Sequence, residues 1–155
     1  MISAVDTNVL LDILNPDEPY APSSSRLLDD ALRVGSIVIS EPVYAELAAN
    51  FPDADTLDAF LDGTGTRLTR SDRSTLYRAG TAWRAYSRRR PRVLTCTQCG
   101  EPQSVQCDVC GAALQARQHV LADFLIGAHA TVQADRLITR DRGYYATYFP
   151  DLELA

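Results

Sequence analysis

Between Met1 and Leu11 the chain carries one charged side chain, Asp6. Ile2 to Val5 before it is a short apolar run, and Val9 to Leu14 after it is apolar with helical spacing. A run this short, followed by Asp6-Thr7-Asn8 and a helical pattern, reads as a buried strand, a turn and a helix. Asp6 then stands at the carboxyl end of the first strand, where open α/β sheets bind their ligands. A plainer reading is that Asp6 or Asn8 caps the helix by accepting a backbone N–H.

The same oddity returns downstream. Glu46 is the only charge between Pro42 and Asn50, among Val43, Ala45, Leu47, Ala48 and Ala49. Asp123 is the only carboxylate from His119 to Val132, and helical geometry sets it between Val120 and Ile126 rather than on a charged face. Asp141 stands just past the strand-like Leu137-Ile138-Thr139, as Asp6 does past the first strand. Buried carboxylates without a partner are costly, so these acids ask for a common explanation. Gathered at one sheet edge they repel, by about 1 kcal/mol per pair at ~4 Å in water and about 4 kcal/mol at an effective dielectric of ~20. A divalent cation reverses the sign, and oxygen-only ligation suits Mg²⁺ or Mn²⁺ where Zn²⁺ recruits His or Cys. Ions held in this way typically serve phosphate chemistry, lowering the pKa of a bound water and orienting it for in-line attack. No Ser-His-Asp set is suggested; His119 and His129, on the Asp123 helix, read as packing or surface residues.

The rest of the chain supplies the scaffold. Ser23 to Arg33 reads as an amphipathic helix with Leu27, Leu28, Ala31 and Leu32 inward, and Ile37-Val38-Ile39 as a second buried strand. Ser40 and Pro42 open a helix over Glu41 to Asn50; another covers Asp53 to Leu61, and a third strand lies near Arg67-Leu68-Thr69. Ser71-Asp72 starts a long helix, a helix resumes from Arg117, and Tyr144 to Leu154 adds a short helix and an edge strand. Strands alternating with helices imply a parallel sheet covered on both faces. At 155 residues the chain is expected to be one domain, burying roughly 70% of its unfolded surface. No apolar run approaches the ~20 residues of a membrane span and no signal segment opens the chain, so a cytoplasmic protein without membrane contact is expected. With a net charge of -5, any attraction to polyanions must come from bound cations or a local basic patch. All 15 basic residues are Arg, which suits bidentate phosphate contact.

Four stretches together resemble the signatures of the PIN domain, and more narrowly of the VapC toxins of type II toxin–antitoxin systems. They are Val5-Asp6-Thr7-Asn8, Glu46 within Val-Tyr-Ala-Glu-Leu, Asp123 within Ala-Asp-Phe-Leu-Ile-Gly-Ala-His-Ala, and Asp141 within Leu-Ile-Thr-Arg-Asp-Arg-Gly-Tyr. The resemblance implies a three-layer α/β/α sandwich with a mostly parallel central sheet. It also implies a Mg²⁺- or Mn²⁺-dependent endoribonuclease with Asp6, Glu46, Asp123 and Asp141 as the metal-binding, catalytic set. Asn8 and Thr139 occupy supporting positions, and a homodimer and a VapB-like antitoxin are the implied partners beside the RNA substrate.

One segment departs from that pattern. Residues 93–115 contain Cys96-x-x-Cys99 and Cys107-x-x-Cys110, with Gly100 and Gly111 each following the second Cys of a pair. Four thiolates at this spacing suit a closed, structural Zn²⁺ site, inserted here within the single domain spanning 1–155. Redox motifs need one CxxC at a helix start, and disulfides are disfavoured in the expected compartment. The insertion is either a metal-stapled loop or a recognition element. Arg84, Arg88, Arg89, Arg90 and Arg92 precede it; the Arg88–Arg90 run is a solvated helix end or an RNA-contacting patch. Three other functions stand beside the toxin: a housekeeping RNA-processing nuclease, a catalytically silent RNA-binding module, and a phosphatase using Asp6 as nucleophile. The last normally needs a second Asp where this chain has Asn8.

Overall fold

The computed structural model describes residues 1–17, 19–89, 94–95, 101–113 and 121–155. Its centre is β1 (Ile2–Val5), paired in parallel with β2 (Ser36–Ile39) on one side and β6 (Arg136–Ile138) on the other. β3 (Thr66–Leu68) pairs in parallel with β2, giving the order β3-β2-β1-β6. A strand covered on both faces must be apolar throughout rather than alternating. Accordingly Ser3, Ala4 and Val5 of β1 and Ile37, Val38 and Ile39 of β2 are all buried. In the register Ala4 faces Val38 and Val5 faces Ile138. The C-terminal residues extend the sheet past β6: Leu137 N–H donates to Glu153 O at 2.8 Å, and Ala155 N–H to Leu137 O at 2.9 Å.

Between the strands run α1 (Thr7–Leu14), α2 (Ala21–Val34), α3 (Glu41–Ala48), α4 (Ala54–Gly63), α5 (Arg73–Arg89) and α6 (Leu121–Gln133), with α7 (Arg142–Tyr148) after β6. The chain is therefore α/β with a parallel central sheet, as its strand–helix alternation implied. Asp53 accepts from Thr56 N–H at 2.8 Å and Asp72 from Thr75 N–H at 2.8 Å, but Ser40, the expected cap of α3, holds the N-cap position with no cap hydrogen bond, its hydroxyl buried without a partner among the described residues. Among the described residues strand and helix ends shift by one or two residues from the sequence reading, the usual play at frayed termini, while the expected helix start at Arg117 lies outside them.

Two expectations are corrected. The buried stripe of α2 is Ala21, Ser24, Leu28 and Ala31, a helical repeat, while Leu27 and Leu32 are exposed. Ser24 faces inward because its hydroxyl has a buried partner, Asp12. The cysteine segment, for which no strand was expected, contains a small antiparallel pair: β4 (Leu94–Thr95) against β5 (Pro102–Gln103). No described helix is long and apolar enough to cross a membrane.

What positions the sheet edge is an aromatic cluster. Phe124, fully buried on α6, stacks edge-on against Trp83 of α5 and Tyr144 and Tyr148 of α7, with centroids 5.3, 5.3 and 5.5 Å away. One turn on, Gly127 lets Phe149 close over the helix; a Cβ there would lie 2.3 Å from the buried ring. Gly127→Ala should therefore destabilise the fold by about 1–3 kcal/mol through overpacking, despite alanine's better helix propensity. Urea unfolding of the two proteins measures it, and a stabilised variant would contradict the packing described.

Candidate active site

Parallel strands deliver their carboxyl ends to one edge. At that edge the chain leaves β1 toward β2 and leaves β6 toward the opposite side, so a crevice opens between the two loops. Asp6 sits there, one residue past β1, and is 7% exposed. It occupies the N-cap position of α1 without a side-chain cap hydrogen bond, although the Thr7 amide of that helix still acts on its carboxylate. Its Oδ2 instead accepts from Thr139 Oγ1 at 2.6 Å and from Asn8 Nδ2 at 2.8 Å. Asn8 Oδ1 in turn accepts from Arg140 N–H at 3.3 Å, and Thr139 Oγ1 from Asp141 N–H at 3.0 Å. These bonds join β1, α1 and the turn after β6 around one carboxylate.

Burial pushes the Asp6 carboxyl up to about 6. The Thr139 hydroxyl and the Thr7 amide pull it down, and the negative charges of Glu46 and Asp123 push it up further. Both acids therefore act electrostatically on Asp6. Glu46, half-buried on α3, accepts a hydrogen bond from Thr7 Oγ1 through Oε2. Asp123 lies half-buried in the first turn of α6. Asp141 is exposed at the N-cap of α7, where its Oδ1 takes the Tyr144 amide at 3.4 Å, the long limit of a hydrogen bond. Burial raises the pKa of the hydroxyls of Tyr144 and Tyr145, and Asp123 and Asp141 raise both further. The four acids thus share one neighbourhood, and Asp141 reaches it from the rim.

Among the described residues, no three His, Cys, Asp or Glu side chains stand close enough to hold a metal ion as they are. The donor chemistry nevertheless fits a hard cation. The candidate donors are oxygen only, one is buried, and the side-chain charges that act on it are both negative. His129 is not among them: it is 1% exposed in the core, its Nε2 has no hydrogen-bond partner, and burial lowers its pKa against the pull of Glu41. His119 lies outside the described residues.

Sequence reasoning missed Thr7, Tyr144 and Tyr145. Thr7 carried a faint signal as the residue between Asp6 and Asn8, since a hydroxyl beside a strand end has few other partners; the two tyrosines carried none. Of the cysteines, Cys96 and Cys99 lie outside the described residues. Cys107 and Cys110 are in no disulfide. The Cys110 and Val109 amides hydrogen-bond the Cys107 sulfur and lower its pKa. The turn closes through Gly111 N–H to Cys107 O at 2.8 Å, with Gly111 at φ +68° where a side chain would be strained. Arg88 and Arg89 are exposed in the last turn of α5, where cations also suit the helix dipole; Arg90 lies outside the described residues.

The raised Asp6 carboxyl gives stability a defined pH dependence. The unfolded side chain loses its proton near 3.8, whereas the folded one keeps it to about 6. Between these values the folded state binds more protons, so stability falls as pH rises from 4 through 6, by up to about 3 kcal/mol for this group. Asp6→Asn should remove that slope and leave the fold more stable at neutral pH in metal-free buffer. Urea unfolding across pH 4 to 8 checks it; an unchanged slope would place the titration elsewhere.

Comparison with known proteins follows the same lines. The chain's three-dimensional structure is similar to that of VapBC2 from Rickettsia felis, solved bound to a DNA fragment from its promoter. There the TM-score is 0.62 and the identity 17%, covering 100% of this chain and 98% of the other. It is equally similar to VapBC-1 from nontypeable Haemophilus influenzae, with a TM-score of 0.62, 16% identity, and 100% and 97% coverage. At such identities the likeness speaks for the fold. A search of curated sequences found no match. The model of the PIN domain matches residues 4–150, from β1 to beyond α7, and so takes in all four acids. The chain belongs to the PIN domain family.

Proposed function

We propose that this chain is a Mg²⁺- or Mn²⁺-dependent endoribonuclease, the toxin of a type II toxin–antitoxin pair. The observation that carries the reading is Asp6. It is a buried carboxylate held in one orientation by two side-chain donors, with two further anions acting on it. Family membership and the likeness to VapBC2 and VapBC-1 support the nuclease class and a VapB-like antitoxin. Asp6, Glu46, Asp123 and Asp141 would hold the cation. When bound, such an ion neutralises phosphate charge and lowers the pKa of an attacking water. The chain's own contribution is orientation. Asn8 and Thr139 both fix Asp6 Oδ2, Thr7 fixes Glu46, and the Tyr145 ring, 2% exposed, helps keep the floor of the site dry. RNA is the substrate in this reading, with Arg88, Arg89 and Arg90 as its electrostatic contacts, and a homodimer is the working assembly.

A second reading has one observation in its favour: the acids do not stand at metal-ligating distances among the described residues. On that reading the chain is a silent RNA-binding module. A housekeeping RNA-processing nuclease would share the chemistry but not the antitoxin. Cleavage of RNA in Mg²⁺ or Mn²⁺ against EDTA decides between enzyme and silent module. Asp6→Asn and Asp123→Asn should each lower the rate at least about 100-fold, since even outer-shell partners of a catalytic metal are worth ~10–100-fold. Metal-independent cleavage, or full activity in both variants, rejects the assignment.

The cysteine insertion carries a separate proposal: Cys96, Cys99, Cys107 and Cys110 bind a structural Zn²⁺. The amides turned toward the Cys107 sulfur support it, because hydrogen bonds of this kind stabilise a thiolate. Metal analysis of the purified protein should find zinc, and Cys107→Ser with Cys110→Ser should release it while leaving the acid cluster intact. A zinc-free protein from a zinc-replete culture would end that proposal.

A further inference from the structure

Behind the acids lies a second polar cluster that the nuclease reading leaves unused. Asp12 is one turn beyond Asn8 on α1, so both side chains share a face of that helix. Its side chain is 3% exposed, although it is a carboxylate. Ser24 Oγ donates to its Oδ2 at 2.6 Å, and Arg140 Nη2 lies 3.2 Å from its Oδ1. The Arg140 guanidinium carbon in turn sits 4.6 Å above the centre of the Tyr20 ring. A buried carboxylate persists only when it is paired. Here the partner is the residue between Thr139, which holds Asp6, and Asp141, which is itself one of the four acids. The backbone amide of the same arginine donates to Asn8 Oδ1 at 3.3 Å. One face of α1 therefore grips the 139–141 turn twice, at the main chain through Asn8 and at the side chain through Asp12.

We propose that Arg140 is a positioning residue of the acid cluster. Clamped by Asp12 and Tyr20, it fixes the turn that brings Thr139 to Asp6 and Asp141 to the sheet edge. This rests on the metal-dependent reading above. A planar, always-charged guanidinium stacked on a ring loses little freedom when it pairs, so the clamp is stiff where a lysine would be loose. The direction of action is from Asp12 through Arg140 to the turn. That separates the proposal from one in which the half-exposed guanidinium touches a substrate phosphate.

The test uses the full chain as wild type, Asp12→Asn, Arg140→Gln and the double variant. Mn²⁺ binding is measured by calorimetry without RNA, and RNA cleavage in parallel. Arg140→Gln alone strands the Asp12 charge and risks unfolding. Asp12→Asn, which retains the Ser24 bond, and the double variant, which carries no stranded charge, keep the question answerable. Each folded variant should bind Mn²⁺ about 10-fold or more weakly, as outer-shell losses do. The double should be no worse than the singles, because both substitutions break one contact. Undiminished Mn²⁺ affinity in folded Asp12→Asn and in the double variant overturns the proposal. So does an effect confined to the KM for RNA in the Arg140 variants, which would make this arginine a phosphate contact. Wild type that binds no Mn²⁺ overturns the metal reading itself, and this inference with it.

Discussion

A single carboxylate buried at the end of the central strand governs how this molecule is put together. Asp6 is held under the surface by a threonine hydroxyl from the far side of β6 and an amide from the first turn of α1. Those two hydrogen bonds stabilise its anion, but burial and two neighbouring negative charges outweigh them, and the carboxyl keeps its proton to about 6. Proteins do not leave an acid in that position for packing alone, because a leucine would serve better. The imbalance is electrostatic, and a cation is the natural remedy for it.

Around that carboxylate the fold supplies stiffness from two directions. On one side α1 presents Asn8 and Asp12 to the turn after β6, and Asp12 is in turn supported by Ser24 from α2. On the other side Phe124, the neighbour of Asp123, is wedged among rings from α5 and α7, which sets the first turn of α6 in place. The acids come from four different elements, yet each stands next to an anchored contact. Glu46 has Thr7, Asp6 has Thr139 and Asn8, Asp123 has the aromatic cluster beside it, and Asp141 has the Thr139 hydroxyl on its own amide. Placing functional groups on strand ends and helix first turns, rather than on long loops, is how a small domain achieves such definition.

Much of this was legible from residue order. The short apolar runs at Ile2–Val5 and Ile37–Ile39 announce doubly covered strands, because only a central parallel strand tolerates apolar side chains on both faces. The isolated acids stand out for a related reason, since a charge in an apolar run has no cheap local explanation. Asn8 and Thr139, which the family resemblance implied as supporting positions, do bond the Asp6 carboxylate. Less visible was α2, where Ser24 rather than Leu27 faces inward, because the hydroxyl's buried partner is twelve residues away on another helix. Thr7, Tyr144 and Tyr145 were missed in the same way, each defined by a neighbour from a distant element.

By itself the sequence determined the alternation of strands and helices, the unusual acids and the paired cysteines. These follow from local periodicity and side-chain chemistry, which act within a few residues. Only the tertiary structure decided that β1 lies between β2 and β6, that Arg140 answers Asp12, and that Glu46 and Asp123 press on Asp6. The physical reason is that parallel strands are joined by long crossovers. Their neighbours, and every contact made across the sheet edge, are chosen by the packing of the whole core rather than by any stretch of chain.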